Sequence, residues 1–193
     1  KAILGWMDGK NPLPPPIECN LDLFAGCNLS CYFCITQRYL KTHPEEVWPM
    51  RVLPTEYMYR LTDFLADWGV RGLCISGGGE PTLHKGLPGL PQYAVSKGMK
   101  VAIFTNCTNM NDALADSFLA CQFVSLSVQA ADCETFKAIE GADLFDKVVA
   151  NLKYLASRKG VSKTSLNLRM LVLPQNYHQI HKVCCLAKAL GLS

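Results

Sequence analysis

The sequence lacks a long apolar run and a strong charge of either sign, and each absence excludes a class of partner. No apolar segment approaches the ~20 residues that a membrane-spanning helix needs. The net charge is only +3, and charged residues make up 18% of the chain. This balance is too mild to indicate a nucleic acid or an anionic membrane surface as the partner.

The composition is that of a folded chain with an unusually high number of cysteines. The 193 residues are 49% hydrophobic, enough for one domain with a substantial core. The ten cysteines are irregularly spaced, and Cys74, Cys107 and Cys121 lie in or beside apolar segments, where a free thiol packs as a small hydrophobe. Because this pattern is not that of a secreted disulfide framework, we expect a reducing, cytoplasmic environment.

The two ends of the sequence suggest how the chain is divided. Residues 1–17 contain four prolines between positions 12 and 16, and we expect them to form an irregular arm. Residues 18–193 are expected to form the core domain. The chain starts with Lys1 and stops just after a predicted helix, where a strand would normally follow, so we expect a core that is truncated at its C-terminus.

Strand-like apolar runs alternate with amphipathic helical segments along the core. The predicted strands are residues 18–24, 72–76, 100–105, 123–128 and 165–173. The predicted helices are residues 55–68, 90–97, 112–120, 144–157 and 177–190. Five successive βα units predict an α/β fold with a parallel sheet and right-handed crossovers. A curved, partial β/α barrel and an open doubly wound sheet both satisfy this pattern.

A cysteine triplet follows the first predicted strand. Cys27, Cys31 and Cys34 form a C-x3-C-x2-C pattern, with the aromatic Phe33 before the last cysteine. Three thiolates this close can hold three irons of a cubane [4Fe–4S] cluster and leave the fourth iron open for substrate chemistry. The alternative is a zinc site, but zinc favours four ligands in paired CxxC motifs, and no second pair is present.

Unusual polar residues follow the other predicted strands. They are Glu80 after the second strand, Asn106 after the third, Ser127 and Gln129 at the end of the fourth, and Arg169 in the fifth. The C-terminal ends of parallel strands share one rim, so these side chains and the cysteines are expected to converge there. The glycines before Glu80 are open to another interpretation, a plain turn. A phosphate loop is disfavoured because no Gly-Lys-Ser/Thr follows.

These motifs together resemble the core of the radical S-adenosylmethionine (radical SAM) superfamily. The CxxxCxxC triplet matches that family's cluster motif, and Gly78-Gly79-Glu80-Pro81 is similar to its GGEP motif. The segment around Ser127 resembles the family's fourth strand. The resemblance implies a partial (β/α) barrel of the radical SAM type, with about five βα units present and the sixth missing. It also implies a [4Fe–4S] cluster held by the three cysteines and S-adenosylmethionine (SAM) bound to the open iron.

The resemblance further implies roles for the remaining site residues. Gly78, Gly79 and Glu80 would lie against the SAM amino group, and Arg169 would face its carboxylate. Further contacts to the cofactor are expected from Phe33 at the adenine, from Ser127 and Gln129 at the ribose, and from Asn106. The family often has an acidic residue where this chain has Gln129.

The expected chemistry is reductive cleavage of SAM to a 5′-deoxyadenosyl radical that takes hydrogen from a substrate. The family implies an electron donor such as a flavodoxin or ferredoxin. The Pro81-Thr82 continuation and the fourth-strand segment resemble those of many peptide-maturing members, and this resemblance favours a peptide or protein as substrate. Modification of a nucleic acid or a small molecule is the alternative within the family. A non-catalytic iron–sulfur or zinc-binding module is the alternative outside it.

Overall fold

The computed structural model describes residues 2–9, 12–43 and 52–192. Within these ranges, five strands form one sheet: β1 Glu18–Leu21, β2 Gly72–Ile75, β3 Lys100–Thr105, β4 Phe123–Ser127 and β5 Ser165–Arg169. The strands lie in chain order and all neighbours are parallel. A doubly wound sheet would reverse its order at a switch point. The constant order therefore selects the partial barrel, in which β1 and β5 are the edges of the described sheet.

Eight helices are described: α1 Ala2–Met7, α2 Ile35–Thr42, α3 Thr55–Trp68, α4 Leu90–Ser96, α5 Asp112–Leu119, α6 Cys133–Glu140, α7 Phe145–Arg158 and α8 Ile180–Ala189. The five predicted helices are confirmed as α3, α4, α5, α7 and α8, with shifts at their ends. Single 3₁₀ turns occur at Pro81–Leu83 and Tyr177–Gln179. Among the helices of the described ranges, none has the length and apolarity that crossing a membrane requires.

Three helices were not predicted. The arm of residues 1–17, expected to be irregular, contains α1, so that prediction is wrong at residues 2–7; residues 1, 10 and 11 of the arm lie outside the described ranges. Helix α2 begins after Cys34, whose sulfur accepts a hydrogen bond from Gln37 N, so its cap is not one of the usual capping residues. Helix α6 has only two turns, capped by Asp132 and ended by Gly141 in the left-handed region.

Strands β2 and β4 end one residue earlier than predicted, and β1 and β5 end three and four residues earlier because the residues that follow them find other partners. After β1, Leu53 N donates to Leu23 O, and Phe24 pairs antiparallel with Val52. After β5, the side-chain oxygen of Gln129 accepts a hydrogen bond from Leu171 N at 2.6 Å. Each backbone segment thus leaves the parallel ladder with its polar groups satisfied.

The two faces of the sheet differ in polarity, and this difference positions the site. Alternate residues such as Ile75, Ile103 and Leu126 are fully buried in the core against the helices. The opposite face carries a mixture of polar side chains, such as Asn20 and Ser76, and aromatic ones, Phe104 and Phe123, and borders a cavity of about 830 Å³. Parallel sheets are usually covered by helices on both faces. A face that borders a cavity instead is therefore a surface that is available for ligands.

Candidate active site

The cysteine triplet lies in the loop between β1 and α2, and all three thiols are free. The sulfur of Cys27 accepts hydrogen bonds from Leu29 N at 3.4 Å and from Asn106 Nδ2 at 3.7 Å. The sulfur of Cys34 accepts one from Gln37 N at 3.5 Å. N–H groups that point at sulfur stabilise thiolates and cluster ligands. The sulfurs of Cys27 and Cys34 therefore already accept hydrogen bonds of the kind that stabilise a thiolate.

The glycines after β2 fasten one side of this loop. Glu80 N donates to Gly26 O at 2.9 Å. A Cβ at Gly79 would overlap the carbonyl oxygens of Phe24 and Gly26. Only glycine permits this approach of two backbones, so the motif binds the end of β2 to the start of the cysteine loop.

The C-terminal end of α6 fastens the other side. Ser30 N donates to Glu140 O at 3.0 Å, and Tyr32 N donates to Ile139 O at 3.1 Å. Gly141 has φ +73°, and a Cβ there would lie 3.1 Å from Ser30. The loop is thus held between two separate elements before any ligand is bound.

Glu80 is buried and its carboxylate is fully engaged. Oε1 accepts from Thr82 N, Thr82 Oγ1 and Thr105 Oγ1 at 2.6–3.0 Å, and Oε2 accepts from Asn106 N at 2.7 Å. Burial raises the pKa of Glu80, and these hydrogen bonds oppose the rise. The side chain therefore ties the ends of β2 and β3 together.

Asn106 extends this network to the cysteines. Its Oδ1 accepts from Thr108 N and Thr108 Oγ1, which fixes the amide plane. Its Nδ2 donates to Asn28 Oδ1 at 3.0 Å as well as to the sulfur of Cys27. Asn28 and Thr108, themselves joined by a 2.7 Å hydrogen bond, were not singled out from the sequence.

Arg169, Gln129 and Ser127 lie at the ends of β4 and β5. Arg169 is the last residue of β5, and its guanidinium lies 5.2 Å from the ring centre of Phe104. Within the described residues it forms no ion pair, so its charge is available to an anionic group. The side-chain oxygen of Gln129 accepts a hydrogen bond from Leu171 N. Ser127 is the last residue of β4.

Glu140 is a second buried carboxyl group at the site, and no sequence motif pointed to it. The thiol of Cys31 donates to Glu140 Oε2 at 3.3 Å, and Glu140 is 2% exposed. Its Oε1 is buried without a hydrogen-bond partner among the described residues. Burial raises the pKa of Glu140 from 4.5 to about 7, and burial together with the nearby Glu140 charge raises the pKa of Cys31. A glutamate before a helix-ending glycine is ordinarily a solvated residue.

All of the residues predicted for the site border one pocket of about 440 Å³. It is lined by Cys27, Cys31, Phe33, Cys34, Gly78, Gly79, Glu80, Asn106, Ser127, Gln129 and Arg169, together with Glu140 and a few neighbours. The larger cavity on the inner face of the sheet shares Ser76 and Phe104 with this pocket but contains none of the triplet cysteines. The chemistry of the side chains therefore assigns the site to the smaller pocket.

The donor set of this pocket fits a cubane cluster better than a single ion. Within the described part of the chain, no three His, Cys, Asp or Glu side chains lie close enough together to hold one metal ion. A cubane distributes its cysteine ligands over different irons, so their sulfurs lie farther apart. Three free thiols border one pocket here, and the sulfurs of Cys27 and Cys34 face N–H donors, so the residues present fit a cubane with one open iron.

Comparison with known proteins agrees with this chemistry. A family model described as the Radical SAM superfamily matches residues 21–186. Mycofactocin maturase MftC of Mycolicibacterium smegmatis is 28% identical over 181 residues, covering 93% of this chain and 43% of MftC. A GTP 3',8-cyclase of Psychromonas ingrahamii is 28% identical over 150 residues, covering 76% of this chain and 42% of the cyclase.

Solved structures share the fold. Streptococcus suis SuiB bound to S-adenosylmethionine superposes with a TM-score of 0.75 at 19% identity, over 98% of this chain and 40% of SuiB. SuiB bound to the precursor peptide SuiA gives the same TM-score at 20% identity, with the same coverage of both chains. The chain spans less than half the length of these relatives. With the family model matched over most of its length and five parallel strands in the order of a partial barrel, the chain belongs to the radical SAM superfamily.

Proposed function

We propose that this chain is the catalytic core of a radical SAM enzyme that modifies a peptide or protein. The observation that carries the proposal is the set of three free cysteines around one pocket that also contains Arg169, which has no ion pair among the described residues. Three sulfur ligands leave one iron of a cubane open, and a guanidinium suits a carboxylate. When bound, the cluster supplies the electron that splits SAM into methionine and a hydrogen-abstracting 5′-deoxyadenosyl radical.

The residues of the chain hold and orient the reactants in this proposal. Cys27, Cys31 and Cys34 are the cluster ligands, and Arg169 binds the SAM carboxylate in a bidentate manner. The backbone at Gly78 and Gly79 is the acceptor for the SAM amino group, since the carboxylate of Glu80 is already occupied by four internal donors. The remaining contacts proposed are Phe33 to the adenine, Ser127 and Gln129 to the ribose, and Asn106 to the cysteine loop that surrounds the cofactor.

The test is SAM cleavage by the anaerobically reconstituted, reduced full-length protein. We expect 5′-deoxyadenosine from the wild type and none from the alanine variants of Cys27, Cys31 and Cys34. Cys184→Ala is the matched control because Cys184 is exposed on α8, away from the site. Arg169→Ala is expected to keep the cluster and to weaken SAM binding by roughly 10-fold or more, the loss of a hydrogen bond to a charged group. Cleavage retained in Cys31→Ala would overturn the proposal.

The substrate class is supported by the relatives, among which MftC is named a maturase and SuiB has been crystallised with a precursor peptide. The similarity to a GTP 3',8-cyclase favours a nucleotide as the second candidate. Two deuterated probes separate them: GTP, and the peptide fraction of the source organism grown in deuterated medium. Deuterium that appears in 5′-deoxyadenosine only with the peptide fraction supports the peptide proposal. Deuterium from GTP alone contradicts it.

Three accompanying inferences complete the proposal. We infer a low-potential electron donor such as a flavodoxin or ferredoxin, since radical SAM chemistry needs a strongly reducing electron. We infer a reducing, cytoplasmic location, which ten free cysteines support. We also propose residues 18–193 as the core domain and residues 1–17 as an arm attached to it; the hydrogen bonds from Arg71 N and Gly72 N to Ile17 O support where the arm meets the sheet.

A further inference from the structure

The side chain of Glu140 lies directly against one of the three cysteines, and the backbone N–H of Gln129 faces the same carboxyl group. We propose that Glu140 is a positioning residue for the cluster: it holds the sulfur of Cys31 by a hydrogen bond and so favours cluster binding. This inference rests on the proposed function, because it takes Cys31 as a cluster ligand. It adds a residue of helix α6, 109 positions after Cys31, to the residues that position the cysteine loop.

The surroundings of the three sulfurs show why Cys31 needs such a partner. Cys27 and Cys34 accept hydrogen bonds from backbone or amide N–H groups of their own loop or its neighbour. Among the described residues, the only polar group bonded to the sulfur of Cys31 is Glu140 Oε2 at 3.3 Å. The direction of this thiol is therefore set by one carboxyl group.

The backbone keeps that carboxyl group in place. Glu140 O accepts from Ser30 N at 3.0 Å, one residue before Cys31. Gly141, with φ +73°, packs against Ser30 so closely that a Cβ would lie 3.1 Å away. The end of α6 and the cysteine loop thus meet through main chain and side chain together, and the main-chain contacts keep residue 140 next to Cys31.

The energetics of Glu140 argue against a purely structural role. The side chain is almost completely buried, its Oε1 has no hydrogen-bond partner, and no Lys or Arg among the described residues forms an ion pair with it. A buried, half-satisfied carboxyl group destabilises a fold, whereas an apolar side chain of similar volume would not. Residues that lower stability in this way are typical of functional sites.

Iron binding defines what position 140 must provide. When iron binds, the thiol of Cys31 releases its proton, so the hydrogen bond seen here belongs to the iron-free chain, where it directs the sulfur at the pocket. A glutamine side-chain oxygen can accept the same hydrogen bond from the thiol, and a leucine cannot. Hydrogen bonds to the sulfurs are among the factors that set the reduction potential of a cluster.

The test compares the full-length wild type with Glu140→Gln and Glu140→Leu, reconstituted without oxygen. Glu134→Gln is the matched control, since Glu134 is exposed on the same helix. We expect Glu140→Leu to retain at most half of the wild-type iron and sulfide per chain and to show an altered midpoint potential in its remaining cluster. Glu140→Gln should restore the iron content and most of the potential, and Glu134→Gln should match the wild type.

The melting temperatures of the iron-free proteins distinguish a positioning role of Glu140 from a purely structural one. We expect the melting temperature of iron-free Glu140→Leu to equal or exceed that of the wild type, although its iron content is lower. Wild-type iron content and potential in Glu140→Leu would overturn the proposal. So would a melting temperature that falls together with the iron content. If the wild type binds a cluster but cleaves no SAM, the proposed function fails while these comparisons of cluster binding still stand.

Discussion

Glu80 and Glu140 border the same pocket from two different elements, and their surroundings differ. Glu80, after β2, receives four hydrogen bonds from Thr82, Thr105 and Asn106. Glu140, at the end of α6, faces only the thiol of Cys31 and the backbone N–H of Gln129, and its Oε1 has no hydrogen bond of good geometry among the described residues. Burial raises the pKa of both carboxyl groups, but only the first is compensated by a full set of donors.

The difference divides the site into two sides. We call the side of Glu80, where the buried carboxylate has a full set of hydrogen bonds, the finished side, and the side of Glu140 the unfinished side. On the Glu80 side, no buried side-chain nitrogen or oxygen of the described residues lacks a hydrogen-bond partner, as expected of a rigid scaffold. On the Glu140 side, the buried Oε1 borders the pocket without a hydrogen-bond partner among the described residues. The β2–β3 side of the cysteine loop is thus stabilised by complete hydrogen bonds. The α6 side instead keeps a buried polar atom next to the pocket.

The largest effect is expected from breaking the finished side with Glu80→Ala. This change leaves the amides of Thr82 and Asn106 and two hydroxyls without their acceptor, and each buried unsatisfied donor costs roughly 1–3 kcal/mol. We expect the free energy of unfolding of the iron-free protein to fall by on the order of 4 kcal/mol, measured by urea denaturation. A loss below about 1 kcal/mol would show that water replaces the carboxylate and that the network is not a scaffold.

The next largest effect concerns the unfinished side and depends on pH. The pKa of Glu140 is about 7 in the folded protein and 4.5 ordinarily, so the folded state binds its proton more tightly than the unfolded state. The contribution of Glu140 to the unfolding free energy is then most favourable below pH 4.5. It falls by a total of about 3 kcal/mol as the pH rises to about 7. The measurement is the difference in unfolding free energy between iron-free wild type and Glu140→Gln across this range.

Subtracting the glutamine variant isolates Glu140, because the contribution of Glu80 to the pH dependence is the same in both proteins. The two curves should therefore diverge as the pH rises, with the wild type becoming the less stable protein. Parallel curves between pH 4.5 and 7 would mean that water or a conformational change already satisfies this carboxyl group in solution.

The same contrast explains how much the sequence could predict. Cys27, Glu80, Asn106 and Ser127 follow successive apolar strands, and the topology of parallel sheets brings strand ends to one rim. Their convergence on one pocket could therefore be predicted without coordinates. The spatial order of the strands could not, because periodicity defines strands but not their neighbours, and the choice between barrel and doubly wound sheet needed the observed pairing.

Glu140 could not be predicted because its importance depends on two features that local patterns do not encode. Helix α6 buries only two apolar side chains, Phe136 and Ile139, too few for a periodic pattern to stand out, and it was not predicted. The contact with Cys31 then joins residues 109 positions apart. The truncation of β5 has a similar origin, since the competitor for Leu171 N is the side chain of Gln129, 42 residues earlier.

The smallest effect distinguishes two neighbouring glycines on the finished side. A Cβ at Gly79 would overlap the backbone oxygens of Phe24 and Gly26, which cannot move without shifting the cysteine loop. A Cβ at Gly78 would lie 3.1 Å from the methyl group of Thr36, a side chain that can rotate. We expect Gly79→Ala to lower the unfolding free energy by about 2 kcal/mol and to reduce iron binding, and Gly78→Ala to do neither to a comparable extent. Equal losses in the two variants would indicate that the main-chain conformation, rather than the closeness of the two backbones, is what requires glycine here.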